Sequence, residues 1–280
     1  MKQRIITLIT DFGERDEYAG VMKGVILRLN PSCQIVDVTH QIFPQDITGA
    51  SLILGNVYPY FPQGTVHLVV VDPGVGSSRR PIVLSADGHL FVGPDNGVFT
   101  TVYLKGGEKH TFELTNRKYF LPRISSTFQG RDVFAPVAVH LSLGLDPKEL
   151  GKEIYDPTTL TDFTPGVSRT QIRGKVIHID RFGNLITNIS RQVFISFTRN
   201  KKFAINVAYL VVNRISDAYF EGKEGDLLAL FGSSDWLEIS VKNGSAKDLL
   251  KVEKGEEVTV TECEPGRCGM EKGVRSSHFT

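Results

Sequence analysis

The sequence predicts an α/β N-terminal domain, a mostly parallel sheet with flanking helices, followed by a small all-β barrel. The expected bounds are 1–160 for the α/β domain, 170–262 for the barrel and 263–280 for a tail. Three observations carry this reading. Apolar, β-branched runs alternate with segments of helical period through the first half. A stretch rich in Pro, Gly and Thr, 156–168, then breaks all periodicity and reads as a linker. Beyond it, short strand signals recur between turns with little helical signal.

The elements follow in order. The apolar run 4–10 ends in Asp11-Phe12-Gly13, and Asp16 is placed to cap the next helix. Val21, Met22, Val25, Ile26 and Leu29 share one face of that helix, and Pro31 stops it. Residues 34–38 read as a second strand. Asp46 caps a helix over 47–57, which Pro59 ends, and 65–71 is a third strand. This strand–helix alternation predicts right-handed crossovers and parallel pairing. Strands near 82–86, 89–93 and 110–114 continue the sheet. Asp132 opens a helix over 133–141, with Pro136 in its first turn and Gly144 to close it. In the second half the strand signals are 175–179, 185–189, 203–207, 227–231, 237–241 and 257–261, and helical signal is confined to 245–250.

Composition narrows the function. Lys+Arg number 32 against Asp+Glu 31, so no basic field exists to gather nucleic acid or a membrane surface. No apolar run reaches the ~20 residues needed to span a bilayer. The N-terminus runs straight into a strand, which predicts no signal peptide. Cys33, Cys263 and Cys268 make an odd count, against a disulfide framework and in keeping with a cytoplasmic location. Cys263 and Cys268 lack metal-ligand spacing. Hydrophobic residues at 41% suffice for an ordinary core.

The chemistry gathers where apolar runs stop. Val69-Val70-Val71 breaks into Asp72-Pro73-Gly74-Val75-Gly76, with Arg79 shortly after. Two other runs end in Asp11-Phe12-Gly13 and in Gly93-Pro94-Asp95-Asn96-Gly97. One Asp at a strand end is usually a turn or a cap. Three such ends predict the rim of a polar site, because ligands of α/β sheets bind beyond the carboxyl ends of the strands. Arg131-Asp132 reads most simply as a cap with a salt bridge. Asp180-Arg181-Phe182-Gly183-Asn184 offers a carboxylate, an aromatic face and an amide in a tight turn, either a polar hairpin or a pocket for an amine and a flat ring. Position 79 is Arg where a dinucleotide fingerprint needs its third Gly. Phosphate-loop, nucleophile-elbow and HExxH motifs are missing too. His40, His67 and His178 stand out among seven scattered histidines, each read first as a core or turn residue.

Taken together, Asp11-Phe12-Gly13, the Asp72-to-Gly76 loop with Arg79, Gly93-to-Gly97, Gly130-Arg131-Asp132-Val133-Phe134-Ala135-Pro136 and Asp180-to-Asn184 resemble the S-adenosyl-L-methionine (SAM) hydroxide adenosyltransferase family, also called DUF62. That family is related to the SAM-dependent fluorinase and chlorinase. The resemblance runs collinearly over about 4–260. It implies a homotrimer with SAM held at subunit interfaces, and hydrolysis of SAM to adenosine and L-methionine by attack of water at C5′. SAM is then the substrate, and no cofactor or metal is implied.

By position, the resemblance gives Asp11 the ribose hydroxyls and Asp180 the methionine ammonium. Phe182 and Asn184 serve the adenine end, joined by Ser233, Ser234 and Asn243. Asp72 and Arg79 belong to an Asp-Arg-His set that orients the water, and Gln129 stands where the family usually has His. Gln hydrogen-bonds a water but cannot take its proton. That departure keeps open a SAM- or adenosine-binding protein with little turnover. A metal-dependent phosphohydrolase using Asp11, Asp72 and Asp95 is a further alternative. Halogenation is disfavoured, because the halogenases carry an uncharged residue at the position of Asp72 and a halide-binding Ser at that of Gly130. The only Trp here is Trp236.

Overall fold

A computed structural model describes residues 5–199 and 201–263. The chain divides into two compact units at Leu160/Thr161.

The first unit is a seven-stranded sheet with helices. Its elements are β1 (Ile5–Thr10), α1 (Tyr18–Leu29), β2 (Gln34–Thr39), α2 (Ile47–Val57), β3 (Val66–Val70), β4 (Pro81–Ala86), β5 (His89–Pro94), α3 (Thr100–Leu104), β6 (Lys109–Glu113), α4 (Ala135–Ser142) and β7 (Glu153–Ile154). The strand order is β2-β1-β3-β5-β4-β6-β7. Every residue of β1 and β3 is buried, as strands covered on both faces require. One core packs α1 and α4 on the sheet through Met22, Ile26, Phe134 and Val137, and another packs α2 through Ala50 and Leu54.

The sheet is mixed, which corrects the expectation of a mostly parallel one. β2, β1, β3 and β5 pair in parallel, whereas β5–β4, β4–β6 and β6–β7 are antiparallel. The reason is the link between β4 and β5. Only Asp87 and Gly88 connect them, both at positive φ (51° and 76°). Two such residues form a tight hairpin turn, and a parallel crossover needs about a dozen or more.

Helix starts also differ locally. Glu17, not Asp16, precedes α1, and its side chain makes no capping bond. Asp46 caps α2 as expected, accepting from the Gly49 N–H at 2.8 Å. Ahead of α4 the chain makes one wide π-type turn, Gly130–Phe134, so Asp132 lies inside a helical turn and not at its cap. Its carboxylate accepts the Ser125 N–H at 2.7 Å and pairs with Arg131 at 2.6 Å.

The second unit is antiparallel. Its elements are β8 (Gly166–Val167), β9 (Gln171–Ile179), β10 (Leu185–Ser190), α5 (Arg191–Thr198), β11 (Phe203–Val207), β12 (Leu210–Val212), β13 (Leu227–Phe231), β14 (Trp236–Val241), α6 (Ala246–Leu250) and β15 (Glu257–Glu262). The path is β12-β11-β15-β9-β10-β14-β13, with β8 added on β9. Its end strands β12 and β13 come into contact, giving a nearly closed, barrel-like sheet around Ile172, Leu185, Ile205, Leu237 and Val260. Helical structure is not confined to 245–250. α5 starts at Ser190, whose hydroxyl accepts the Val193 N–H, and buries Phe194.

Among the described residues no helix is long and apolar enough to cross a membrane. Cys33 is buried. Cys263 is in a disulfide, and Cys268 lies outside the described residues.

Candidate active site

Two strand ends define the site in the first unit. Thr10 pairs with Val70 across the parallel β1–β3 ladder, so Asp11 and Asp72 emerge side by side at the carboxyl edge of the sheet. They line one cavity of about 370 Å³. Its walls include the aromatic side chains Phe12, Tyr18 and Phe128, together with Gln45, Val75, Thr127 and Gly130. The Phe128 ring meets Phe12 and Tyr18 edge to face and those two are tilted against each other, with centroids 5.3–6.0 Å apart. Such packing adds rigidity beyond simple burial. Asp11 is held from behind, since its Oδ2 accepts the backbone N–H of Gln45 at 2.8 Å. Gln45 adopts a positive φ of 66° to present that N–H.

Asp72 sits deeper. Its side chain is 4% exposed and faces Arg79, itself 9% exposed. Arg79 Nε lies 3.0 Å from each carboxylate oxygen, and Nη2 bonds Oδ2 as well. The same Nη2 donates to Gln129 Oε1 at 2.5 Å. An Arg offers only donors, so Oε1 must face it, and the amide N–H groups are what Gln129 has left to give. The guanidinium also lies over the Phe134 ring, 5.3 Å from its centroid. Its Nη1 is buried with no hydrogen-bond partner. The loop reaches this geometry through Gly76 at φ +80°, where a β-carbon would stand 2.5 Å from the Ser126 carbonyl oxygen.

The third strand-end carboxylate is elsewhere. Asp95 Oδ2 accepts from Arg80 at 2.6 and 2.8 Å, and its Oδ1 accepts the Thr158 N–H at 2.7 Å. Asp11, Asp72 and Asp95 therefore do not converge as a metal-dependent phosphohydrolase requires. Among the described residues no group of three His, Cys, Asp or Glu side chains is arranged to hold a metal ion.

In the second unit Asp180 is consumed by its own turn. Its Oδ1 accepts the N–H groups of Phe182 and Asn184 at 2.8 and 2.9 Å, and its Oδ2 accepts the Asn184 amide at 2.9 Å. Phe182 projects outward, 75% exposed, while Asn184 is buried. Gly183, at φ +82°, lies so close to Ser245 that any side chain would collide with it. β10 and β14 run antiparallel, with Leu185 opposite Ile239 and Ser190 opposite Trp236. Asn243 thus stands at the same end as the Asp180 turn. Ser233 and Ser234 lie in the β13–β14 turn at the other end, where the Arg191 N–H bonds the Asp235 carbonyl at 2.8 Å. The residues expected at the adenine end do not form one patch within this unit.

Two family models account for most of the chain. The SAM hydroxide adenosyltransferase N-terminal domain matches residues 6–151, and the C-terminal domain of the same family matches 174–259. The chain belongs to the SAM hydroxide adenosyltransferase family. A Thermus thermophilus protein named (R)-S-adenosyl-L-methionine hydrolase is 37% identical over 259 residues, 90% of this chain and 97% of that protein. Its Methanocaldococcus jannaschii namesake is 36% identical over 269 residues, 91% and 95% of the two chains. A fluorinase from Actinoplanes is more distant, 28% identical over 214 residues, 67% and 72% of the two chains. The crystal structure of an uncharacterized conserved protein from Thermotoga maritima superposes with a TM-score of 0.84 at 37% identity, covering 92% of this chain and all of that one.

Within this family member, some of the cavity wall escaped the sequence reading. Phe12 sits inside the Asp11-Phe12-Gly13 turn and Phe128 just ahead of Gly130, yet the role of their rings shows only when Tyr18 joins them. Gln45 carried no signal beyond its place before a helix cap. Gly130 has a visible reason to lack a side chain, because a β-carbon there would stand 3.1 Å from the Met22 sulfur and 3.5 Å from Val70 Cγ1.

Proposed function

We propose that this protein hydrolyses SAM to adenosine and L-methionine. The observation that carries the proposal is the buried Asp72–Arg79 pair at the wall of the cavity, bridged to Gln129. A water oxygen attacks C5′ and the C5′–S bond breaks. The bonding electrons go to sulfur, so methionine leaves as a neutral thioether and needs no general acid. The water's proton passes to Asp72, and Arg79 stabilises the developing hydroxide. The remaining requirement is in-line alignment. Neither a metal nor a cofactor has a step to perform, since the leaving group already carries the activating positive charge.

Asp11 takes the ribose hydroxyls as charge-assisted hydrogen bonds. Asp180 and Phe182 receive the ammonium and the adenine face, with Asn184 and Asn243, at the same end of the unit, completing the polar contacts; Ser233 and Ser234, at the other end, do not join them. Asp180 has one lone-pair position left after its own turn is satisfied. The proposal includes a homotrimer with sites shared between subunits, on the resemblance, and a cytoplasmic location, on the sparse cysteines. Halide as the nucleophile fits less well, because the carboxylate of Asp72 repels an anion. The names of the hydrolase relatives point to the (R) sulfonium epimer as the substrate form.

The test is chromatography of each SAM epimer after incubation with pure protein. Release of adenosine and methionine in equal amounts, faster from the (R) epimer, is expected. If neither epimer yields adenosine while adenosine still binds, the protein is a nucleoside-binding member of the family without turnover. Light scattering that shows a monomer with full activity rejects the shared site.

A further inference from the structure

A buried histidine lies directly behind the Asp11 turn. His40 is 5% exposed and its ring is held at both nitrogens. Nδ1 lies 2.8 Å from Thr10 Oγ1, and Nε2 lies 3.1 Å from Asp37 Oδ1. A carboxylate only accepts, so Nε2 carries the hydrogen. In the neutral ring Nδ1 is then bare and accepts from the Thr10 hydroxyl. That hydroxyl oxygen in turn accepts the backbone N–H of Phe12 at 3.3 Å. The backbone of His40 contributes too, because its carbonyl accepts the Gly13 N–H at 2.7 Å. Asp37 is secured at the far end by Lys23, 2.6 Å from its Oδ2. Burial alone would raise the Asp37 pKa, but the bonds from Lys23 and His40 outweigh it and hold the carboxyl below its ordinary value. Every donor in this row points the same way, from the Phe12 N–H through Thr10 and His40 to Asp37.

Asp11 itself is not in the row. It is gripped from the other side by Gln45, and the residues after it, Phe12 and Gly13, are the ones His40 controls. We propose that His40 is a positioning residue of the site. Through Thr10 and through its own carbonyl it fixes the Asp11-Phe12-Gly13 turn, and with it the carboxylate that takes the ribose hydroxyls. The proposal rests on the ribose role assigned to Asp11 above. It gives the ring a task in substrate binding and none in the attack at C5′, which belongs to Asp72 and Arg79.

Three variants test it by calorimetry with adenosine and by steady-state kinetics with SAM. His40→Leu keeps bulk and removes both ring nitrogens. His40→Asn keeps an acceptor near the Nδ1 position. Asp11→Ala removes the carboxylate being positioned. For His40→Leu, the adenosine Kd and the KM for SAM rise about tenfold while kcat falls less than ~3-fold, the scale of one lost bond to a charged group. His40→Asn recovers most of that loss. A purely structural histidine would instead lower the melting temperature and the active fraction, leaving KM unmoved and Asn no better than Leu, and that pattern overturns the proposal. Weakened binding in Asp11→Ala with normal binding in His40→Leu also overturns it. Normal adenosine affinity in Asp11→Ala removes the ribose reading of Asp11, and the positioning role of His40 with it.

Discussion

Arg79 Nε stands 3.0 Å from both carboxylate oxygens of Asp72, a contact made within a single eight-residue loop. Both side chains are buried, so neither charge is shared with solvent. For Asp72→Asn we expect kcat to fall about 10²-fold or more, the scale of a lost general base. The adenosine Kd should stay within ~2-fold. The variant leaves the Arg79 charge uncompensated, at a stability cost on the order of 3–5 kcal/mol, so kcat is compared at a temperature where circular dichroism shows both proteins folded. Unchanged turnover in folded Asp72→Asn removes the general-base assignment.

Gln129 has no proton to exchange near neutral pH. The wild-type rate should therefore show no imidazole-type limb between pH 6 and 8, a window in which an ordinary His titrates. Gln129→His supplies the group the family usually carries. We expect kcat at pH 8 to be preserved or raised, and a new limb near pH 6.5 with activity falling on the acid side, because an accepting imidazole must be neutral. A pH–rate profile of both proteins decides this. A flat profile in Gln129→His, or a tenfold loss at pH 8, would falsify the assigned role of position 129.

Asp11→Ala should weaken adenosine at least tenfold. Hydrogen bonds to a charged acceptor contribute roughly 1.5–3 kcal/mol. Isothermal calorimetry measures this directly, and an unchanged Kd takes Asp11 out of the ligand contacts.

The acid stability of the first unit should depend on His67. Burial first, and the neighbouring His89 second, push its pKa down to about 3. The ring stacks on Phe91 at 5.1 Å, with Nδ1 against Thr7 and Nε2 against His89. The folded pKa lies below the unfolded value, so the unfolded chain binds the extra proton as pH drops below about 6.5. Stability is complete above that pH and is lost progressively toward the folded pKa. Between pH 7 and 5 the loss is about 2 kcal/mol from this group alone. His67→Phe keeps the stacked ring and removes the titration. Its melting temperature should fall less steeply than that of the wild type over this range, and parallel slopes would exclude His67 as the source.

Much of the cavity was legible because its residues sit where periodicity stops. Asp11 and Asp72 end apolar runs, and adjacent parallel strands bring those ends together without any long-range guesswork. The third such end, at Asp95, misled. Its partner Arg80 looks in the sequence like any other arginine beside Arg79, and only the fold turns the two in different directions. The antiparallel half of the sheet was written in Asp87-Gly88, a two-residue hairpin signal that the regular spacing of strands obscured. Helix α5 was hidden by composition, since Val193, Ile195 and Phe197 favour strands, and the Ser190 cap with the buried contacts of Phe194 overrides that preference. Ser233 and Ser234 are close to Asn243 along the chain, yet a strand lies between them and carries them to opposite ends.

Gly130 lines the cavity on one side and touches the core on the other, and this double membership constrains how the site can evolve. Met22, which a β-carbon at position 130 would crowd, is fully buried on the inner face of α1. A serine there changes the chemistry of the wall and, by crowding the Met22 sulfur, the packing of the helix in one step. A smaller residue at position 22 opens room for it from the interior, at the cost of a core cavity, roughly 2–5 kcal/mol for Met22→Ala. A change to the cavity wall at position 130 is thus bound to a residue of the hydrophobic interior that does not itself line the cavity.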